Sequence, residues 1–213
     1  MRTIKKVASH IFIDGFGGMT QGLFATLIIG TMIQQIGLLI GGSTGNVIYL
    51  LGKAAAALTS AGIGVGVAVK YGESPLVTVS AAVAAMVGGY AGKITGGTFF
   101  VDGNAVLAGP GEPLGAFIAA FAGITCGHLV SGKTKVDIIV TPVITIGAGS
   151  VVGLLVGPPI SQMMTGLGSI INWATEQRPF IMGIVVSVVM GMVLTLPISS
   201  AALGIILNLS GLA

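Results

Sequence analysis

Few side chains in this sequence could do chemistry, and the best candidates gather in two places. The first is the segment from Lys93 to Pro113, KITGGTFFVDGNAVLAGPGEP, which holds Asp102, Asn104 and Glu112 among glycines and two prolines. Carboxylates and an amide set in irregular backbone can hydrogen-bond a polar solute, and such backbone is tolerated at membrane depth only inside protein or against a wet cavity. The segment reads either as a re-entrant loop presenting those groups or as an ordinary extracellular loop. The second place is TLPISSAAL, where Pro197 removes a backbone donor and frees carbonyls that Ser199 and Ser200 can satisfy, or whose hydroxyls can bind the solute instead. The same pattern serves a solute path, a plain kink or a tight turn between two spans.

The remaining ionisable groups carry less. Asp14, Glu73, Asp137 and Glu176 each lie near a basic side chain in a connection and read as solvated features, although Asp137 could also cap the helix that follows it. His128, in CGHLVSGK near a span end, reads as an interfacial hydrogen-bonding residue rather than a proton relay. Cys126 is the single cysteine, which excludes a disulfide framework and a CxxC redox pair. GxSxG, HExxH, the phosphate-loop signature and Cys/His metal spacing are all missing. GIGVGV lies inside an apolar run instead of opening a helix after a strand, so a dinucleotide site is not supported. No basic patch suggests nucleic acid, and no cofactor or metal is expected.

The elements that would position these residues are membrane helices. Of the 213 residues, 54% are apolar and 7% charged, with mean hydropathy +1.04, whereas a soluble domain carries roughly 25% charged residues. Each span needs about 20 apolar residues. The apolar runs are approximately 17–41, 47–69, 75–92, 114–130, 136–156 and 180–196, and a seventh from Ile198 is still open at Ala213. The fold class expected is therefore all-α: a polytopic transmembrane bundle of six spans plus a truncated seventh. Glycine fills 36 positions, inside the apolar runs, where small residues let helix backbones approach closely. The basic start, MRTIKKVASH, leads into an uncleaved first span rather than a signal peptide.

Lysine and arginine placement orients the chain. With the N-terminus in the cytoplasm, Arg2, Lys5, Lys6, Lys70, Lys133 and Lys135 lie inside and only Lys93 and Arg178 outside. Lys53, early in the second run, reads either as snorkelling to the outer interface or as a sign that the helix begins later than the run. Between the fifth and sixth runs, Met163, Met164, Leu167, Ile170, Ile171 and Trp173 recur at three- and four-residue spacing with Gln162, Thr165, Ser169 and Asn172 between them. That pattern fits an amphipathic interfacial helix anchored by Trp173, or a loop helix packed on the protein.

From about Lys133 onward the chain resembles EIIC, the membrane subunit of bacterial sugar phosphotransferase systems. The resemblance is carried by VDIIVTPVITIGAGSVVGLLVGPPISQMMTGLGSIINWATEQRPFIMG, most specifically by Pro142 to Thr145 and Val156 to Ile160. Earlier, KYGESPLVTVSAAVAAMVGGYAG and GPGEPLGAFIAAFAG resemble the branch that contains perfringolysin O regulator-like proteins. The resemblance implies a scaffold and dimerisation domain over 1–157, an amphipathic linker over 158–178 and the start of a transport domain over 179–213. It implies a homodimer in the cell membrane that moves a small polar solute, sugar being the family's solute. Phosphoryl transfer would rest with separate IIA and IIB proteins, so the chain itself is not expected to be an enzyme. The regulator-like branch implies an alternative, a membrane-embedded sensor that keeps the fold without transport. The family's sugar-binding glutamate stands in a G-I-T-E-P-like hairpin late in the transport domain; GPGEP at Gly109 to Pro113 is similar but lies in the scaffold half.

Overall fold

The computed structural model describes residues 10–107, 109–175 and 179–194. Its elements are helical apart from one two-residue-per-strand hairpin. The described residues open on a continuous helical rod containing π-helical turns at His10–Gly15 and Phe24–Ile28, with α1 (Phe16–Leu23) between them and α2 (Ile29–Ile40) after the second. It folds back at Gly41 into α3 (Gly42–Ala57) and α4 (Thr59–Lys70), which meet at Leu58 with a bend of 53°. Then come α5 (Pro75–Gly89), the short α6 (Ala91–Thr95), and strands β1 (Phe100–Val101) and β2 (Asn104–Ala105). Helices α7 (Pro113–Val130), α8 (Asp137–Thr175) and α9 (Pro179–Leu194) complete the described chain.

Glycine explains how these helices pack. Gly18 of α1 rests on Gly66 of α4 so closely that a Cβ at Gly18 would stand 2.6 Å from the Gly66 carbonyl oxygen. In the same way α2 meets α3 through Gly37 and Gly45, and α5 meets α7 through Gly88 and Gly115. Helix α8 presents Gly149, Gly153 and Gly157, one every four residues, to α5 and α7; a Cβ on Gly153 would lie 2.8 Å from the Gly88 Cα. Without a hydrophobic drive between helices in lipid, backbone contact of this kind supplies van der Waals attraction that longer side chains would prevent. The core between α1, α4, α5 and α7 is filled by Met19, Leu23, Ile63, Val67, Val77, Phe117 and Ile124.

Apolar surface also faces outward. Leu39 of α2, Val79 of α5 and Leu155 of α8 are 86%, 67% and 71% exposed, an arrangement that suits hydrocarbon and not water. All six complete apolar runs expected as spans contain helices, but their lengths differ from the expectation. Three helices, Ile13–Ile40, Pro113–Val130 and Asp137–Ile170, are long and apolar enough to cross a membrane, or four if the bent α3–α4 pair is one span. The second run is broken at Leu58, and the third stops at Gly89, where α5 has 15 residues. The seventh run lies outside the described residues, as do Arg2, Lys5 and Lys6.

The fifth apolar run, expected to close at Val156 with a linker from 158, does not end its helix there. Helix α8 runs 39 residues through Pro142, Pro158 and Pro159, about 58 Å at 1.5 Å per residue. Each proline deprives the carbonyl four residues earlier of its donor, yet neighbouring helices hold the backbone in place, as membrane bundles allow. The amphipathic stretch is thus a continuation of α8: Met164 is buried in the core, while Met163 and Trp173 stay about half exposed.

Candidate functional site

The break at Leu58 is where the chain's irregular backbone converges. Residues Ala56 to Ser60 carry no proline, but α3 ends there, and the last carbonyls of a helix lose their internal donors. The last three are met by a side chain or a turn. Leu58 N donates to Ala55 O at 3.2 Å, Thr59 Oγ1 donates to Ala56 O at 2.6 Å, and the Tyr90 hydroxyl reaches Ala57 O at 3.1 Å. Tyr90 comes from the junction between α5 and α6 and is fully buried.

Across this break lies the strap Gly109 to Glu112. The Tyr90 hydroxyl also bonds the Gly109 carbonyl, and with one hydrogen it can donate to only one of its two carbonyls at a time. Ser60 Oγ donates to Pro110 O at 2.9 Å, and the Glu112 amide donates to Gly89 O at 2.6 Å, closing the free end of α5. Gly111 has φ +77°, and a Cβ there would stand 2.5 Å from Ser60 Oγ and 3.1 Å from the Tyr90 ring, so only glycine fits the seat. The strap joins two helix ends through hydrogen bonds that a solute hydroxyl could also make.

Glu112 then starts α7. Its Oε1 accepts from Leu114 N at 3.3 Å, with Pro113 as the first helical residue. Glu112 stands just outside the span Pro113–Val130, and burial pushes its carboxyl up to about 7, the Leu114 hydrogen bond pulling modestly the other way. A carboxyl so placed exchanges its proton near neutral pH and can act as donor or acceptor.

Beside the strap, a cavity of about 180 Å³ opens between the two bent helices. Thr31 and Gln34 of α2, Lys53 of α3 and the strap's Pro110 line it, with Leu27 from the second π-helical turn. A π-helical turn on one helix therefore faces the break on the other, both being irregularities that gather at functional sites. A second, more open cavity of about 360 Å³ lies where α6 meets α8, between Lys93, Thr95, Pro158, Ser161 and Gln162. The Lys93 ammonium stands 5.4 Å from the Tyr90 ring centroid.

Of the residues singled out from the sequence, Glu112 is buried at the strap. Asp102 and Asn104 are exposed in the hairpin turn, where Asp102 (φ +50°) and Gly103 (φ +77°) form the two-residue loop and Asn104 Nδ2 donates to Asp102 O at 3.3 Å. Pro197, Ser199 and Ser200 lie outside the described residues. The Lys93 to Pro113 segment divides into an exposed hairpin and a tucked return. Sequence reasoning missed Ser60 and Tyr90, whose signal was faint: hydroxyls within apolar helices, at Thr59-Ser60 and inside GGYAG.

The far end of the bundle is tied more plainly. His128 Nδ1 lies 3.0 Å from Glu73 Oε1, Ser74 and Ser131 hydroxyls are 2.9 Å apart, and Asp137 Oδ1 accepts from Gly132 N and the Thr141 hydroxyl. Among the described residues no cluster of His, Cys, Asp or Glu could hold a metal. No curated protein and no solved structure matches the chain. The family model described as Phosphotransferase system, EIIC matches residues 13–213; with its apolar, glycine-packed helices, the chain is an integral membrane protein that belongs to the phosphotransferase-system EIIC family.

Proposed function

We propose that this protein is a permease that carries a small polar solute, a sugar or a near relative, across the bacterial cell membrane, with its N-terminus in the cytoplasm. The observation that supports the reading best is the strap Gly109 to Glu112, held on a broken helix by the hydroxyls of Ser60 and Tyr90. Discontinuous helices whose end groups are held by exchangeable hydrogen bonds are a usual means by which transporters meet polar solutes. A solute hydroxyl offers the same donor and acceptor as Ser60 and Tyr90, so exchanging one for the other costs little. Glu112 is then a solute-binding or gating carboxyl, and Asp102 and Asn104 line the approach. Pro197, Ser199 and Ser200 form a second pathway element in the part of the family match beyond the described residues.

In this reading the six complete runs and the open seventh are spans, 1–157 is a scaffold that pairs with a second copy, and 158–178 links it to a transport domain beginning at 179. Movement of that domain against the scaffold passes the solute, and IIA and IIB proteins supply the phosphoryl group. The direct test is solute counterflow in vesicles containing the purified protein. Saturable exchange of a labelled sugar, reduced by Glu112→Gln, supports the reading; leakage no greater than in empty vesicles across a panel of sugars and related polyols overturns it.

A further inference from the structure

The cavity beneath the strap carries a charge that nothing else in the described structure balances. Lys53 lies in the interior of α3, about 16 Å along the axis from Gly42. Among the described residues it makes no hydrogen bond and no ion pair. An ammonium within an apolar helix is costly unless it faces water or an anion; Lys53 is an exposed residue that borders the mouth of this cavity. No carboxylate lines the cavity with it.

The other groups there are mostly acceptors. The Thr31 hydroxyl already donates to Ile28 O at 2.8 Å, leaving its oxygen lone pairs. Gln34 Nε2 spends one hydrogen toward Gly30 O at 3.4 Å, leaving the amide oxygen and one N–H. The Ala57 and Gly109 carbonyls share the single Tyr90 hydrogen, so at any moment one of them accepts nothing from it. A cavity of about 180 Å³ is below the roughly 300–1,000 Å³ of pockets for drug-sized ligands, yet many times what one water needs. One cation surrounded by acceptors, in a space of this size, matches a small molecule with one negative charge and several hydroxyl donors.

We propose that this cavity is a binding site for a small hydroxylated monoanion, with Lys53 holding the anionic group and Thr31, Gln34 and the strap carbonyls accepting from its hydroxyls. The assignment rests on the permease reading and narrows its solute class. A phospholipid headgroup presents an anion too, and titration with phosphatidylglycerol separates that source from a soluble solute.

The test uses the full chain in detergent, titrated with gluconate, with glucose, and separately with phosphatidylglycerol, following thermal stabilisation, which reports binding by mass action. The expected result is gluconate binding at least about tenfold tighter than glucose. Lys53→Met should weaken gluconate by about tenfold, about 1.4 kcal/mol, while Lys53→Arg keeps most of the affinity and both variants melt as wild type without ligand. Equal binding of glucose and gluconate, unchanged in Lys53→Met, overturns the anion assignment and leaves a sugar permease standing. Stabilisation by phosphatidylglycerol alone, lost in Lys53→Met, assigns Lys53 to lipid and overturns the solute site. If neither soluble ligand binds and vesicles show no counterflow of either, the site and the permease reading fall together.

Discussion

Removing one oxygen should loosen the strap while sparing the bundle. In Tyr90→Phe the ring keeps its packing, including the contact with Phe99 at 5.4 Å between centroids, but the donor shared by Ala57 O and Gly109 O is lost. One of the two carbonyls lacks that hydrogen at any moment in the wild type, and in the variant both do, a cost of about 1–3 kcal/mol where the carbonyl is shielded from water. Because the hydroxyl bridges helix and strap, that cost falls on the closed arrangement and raises the open population by roughly 5–150-fold. Hydrogen exchange reads it directly, since amides opened by local motion exchange in proportion to that population. The reporter is the Glu112 amide, bonded to Gly89 O at 2.6 Å, within a peptide spanning 107–114. Unchanged exchange there, or equal acceleration along the whole of α7, would refute the idea that Tyr90 clamps the strap.

Three further outcomes follow from the same geometry. Glu112 has a folded value of about 7 against an ordinary 4.5, so between those values the folded chain holds a proton that the unfolded chain has released. Stability falls as pH rises through that window, by about 3 kcal/mol, and levels off above it. Denaturation followed across pH should show this slope in the wild type and lose it in Glu112→Gln; identical slopes sink the assignment. Gly88→Val should abolish a monodisperse folded protein on size-exclusion chromatography, since even a Cβ would stand 2.5 Å from Gly115 O. Gly166→Ala, with nothing within 4 Å of its Cβ position, should behave as wild type, and equal behaviour of the two would contradict the close-packing account. Replacing the 71%-exposed His128 by Ala leaves the Glu73 carboxylate, 9% exposed, without this partner and should cost more than the roughly 1 kcal/mol of an exposed pair, read as a clear fall in thermal melting; a shift no larger than for a surface substitution would contradict it.

The helical membrane class was legible from composition, because nothing but lipid accommodates so few charges. The helix breaks were not. Leu58 sits in AAAALTSAG, a sequence with good helix formers on one side and no proline; the bend there is fixed by the Tyr90 hydroxyl and the strap, which are distant in sequence. Conversely, Pro158-Pro159 looked like a helix exit and is not one. Gly153 and Gly157 pack against Gly88 and Ala91 up to the residue before Pro158, and the spacing from Met163 to Trp173 was the sign that helix follows the prolines. In the site, the glycines and prolines of the Lys93 to Pro113 segment pointed to irregular backbone, but not to its division into a tucked Glu112 and an exposed hairpin, whose two-residue loop holds Asp102 and is followed by Asn104. Lys53 read as a residue reaching the interface, which its exposure allows; that it also borders the cavity depends on α2, α3 and the strap coming together.

The account centres on a wet cavity at the helix break, gated by the strap. Its most direct test is thiol labelling in vesicles, with the single cysteine, Cys126, first replaced by Ala. Gln34→Cys, lining the cavity, should react with a small charged thiol reagent, and react faster when Tyr90→Phe loosens the strap. Val79→Cys, 67% exposed on α5 but facing lipid, should not react, while Asp102→Cys on the exposed hairpin should react regardless of Tyr90. A cysteine at Gln34 as inert as one at Val79, or indifferent to the Tyr90 hydroxyl, would contradict the gated cavity.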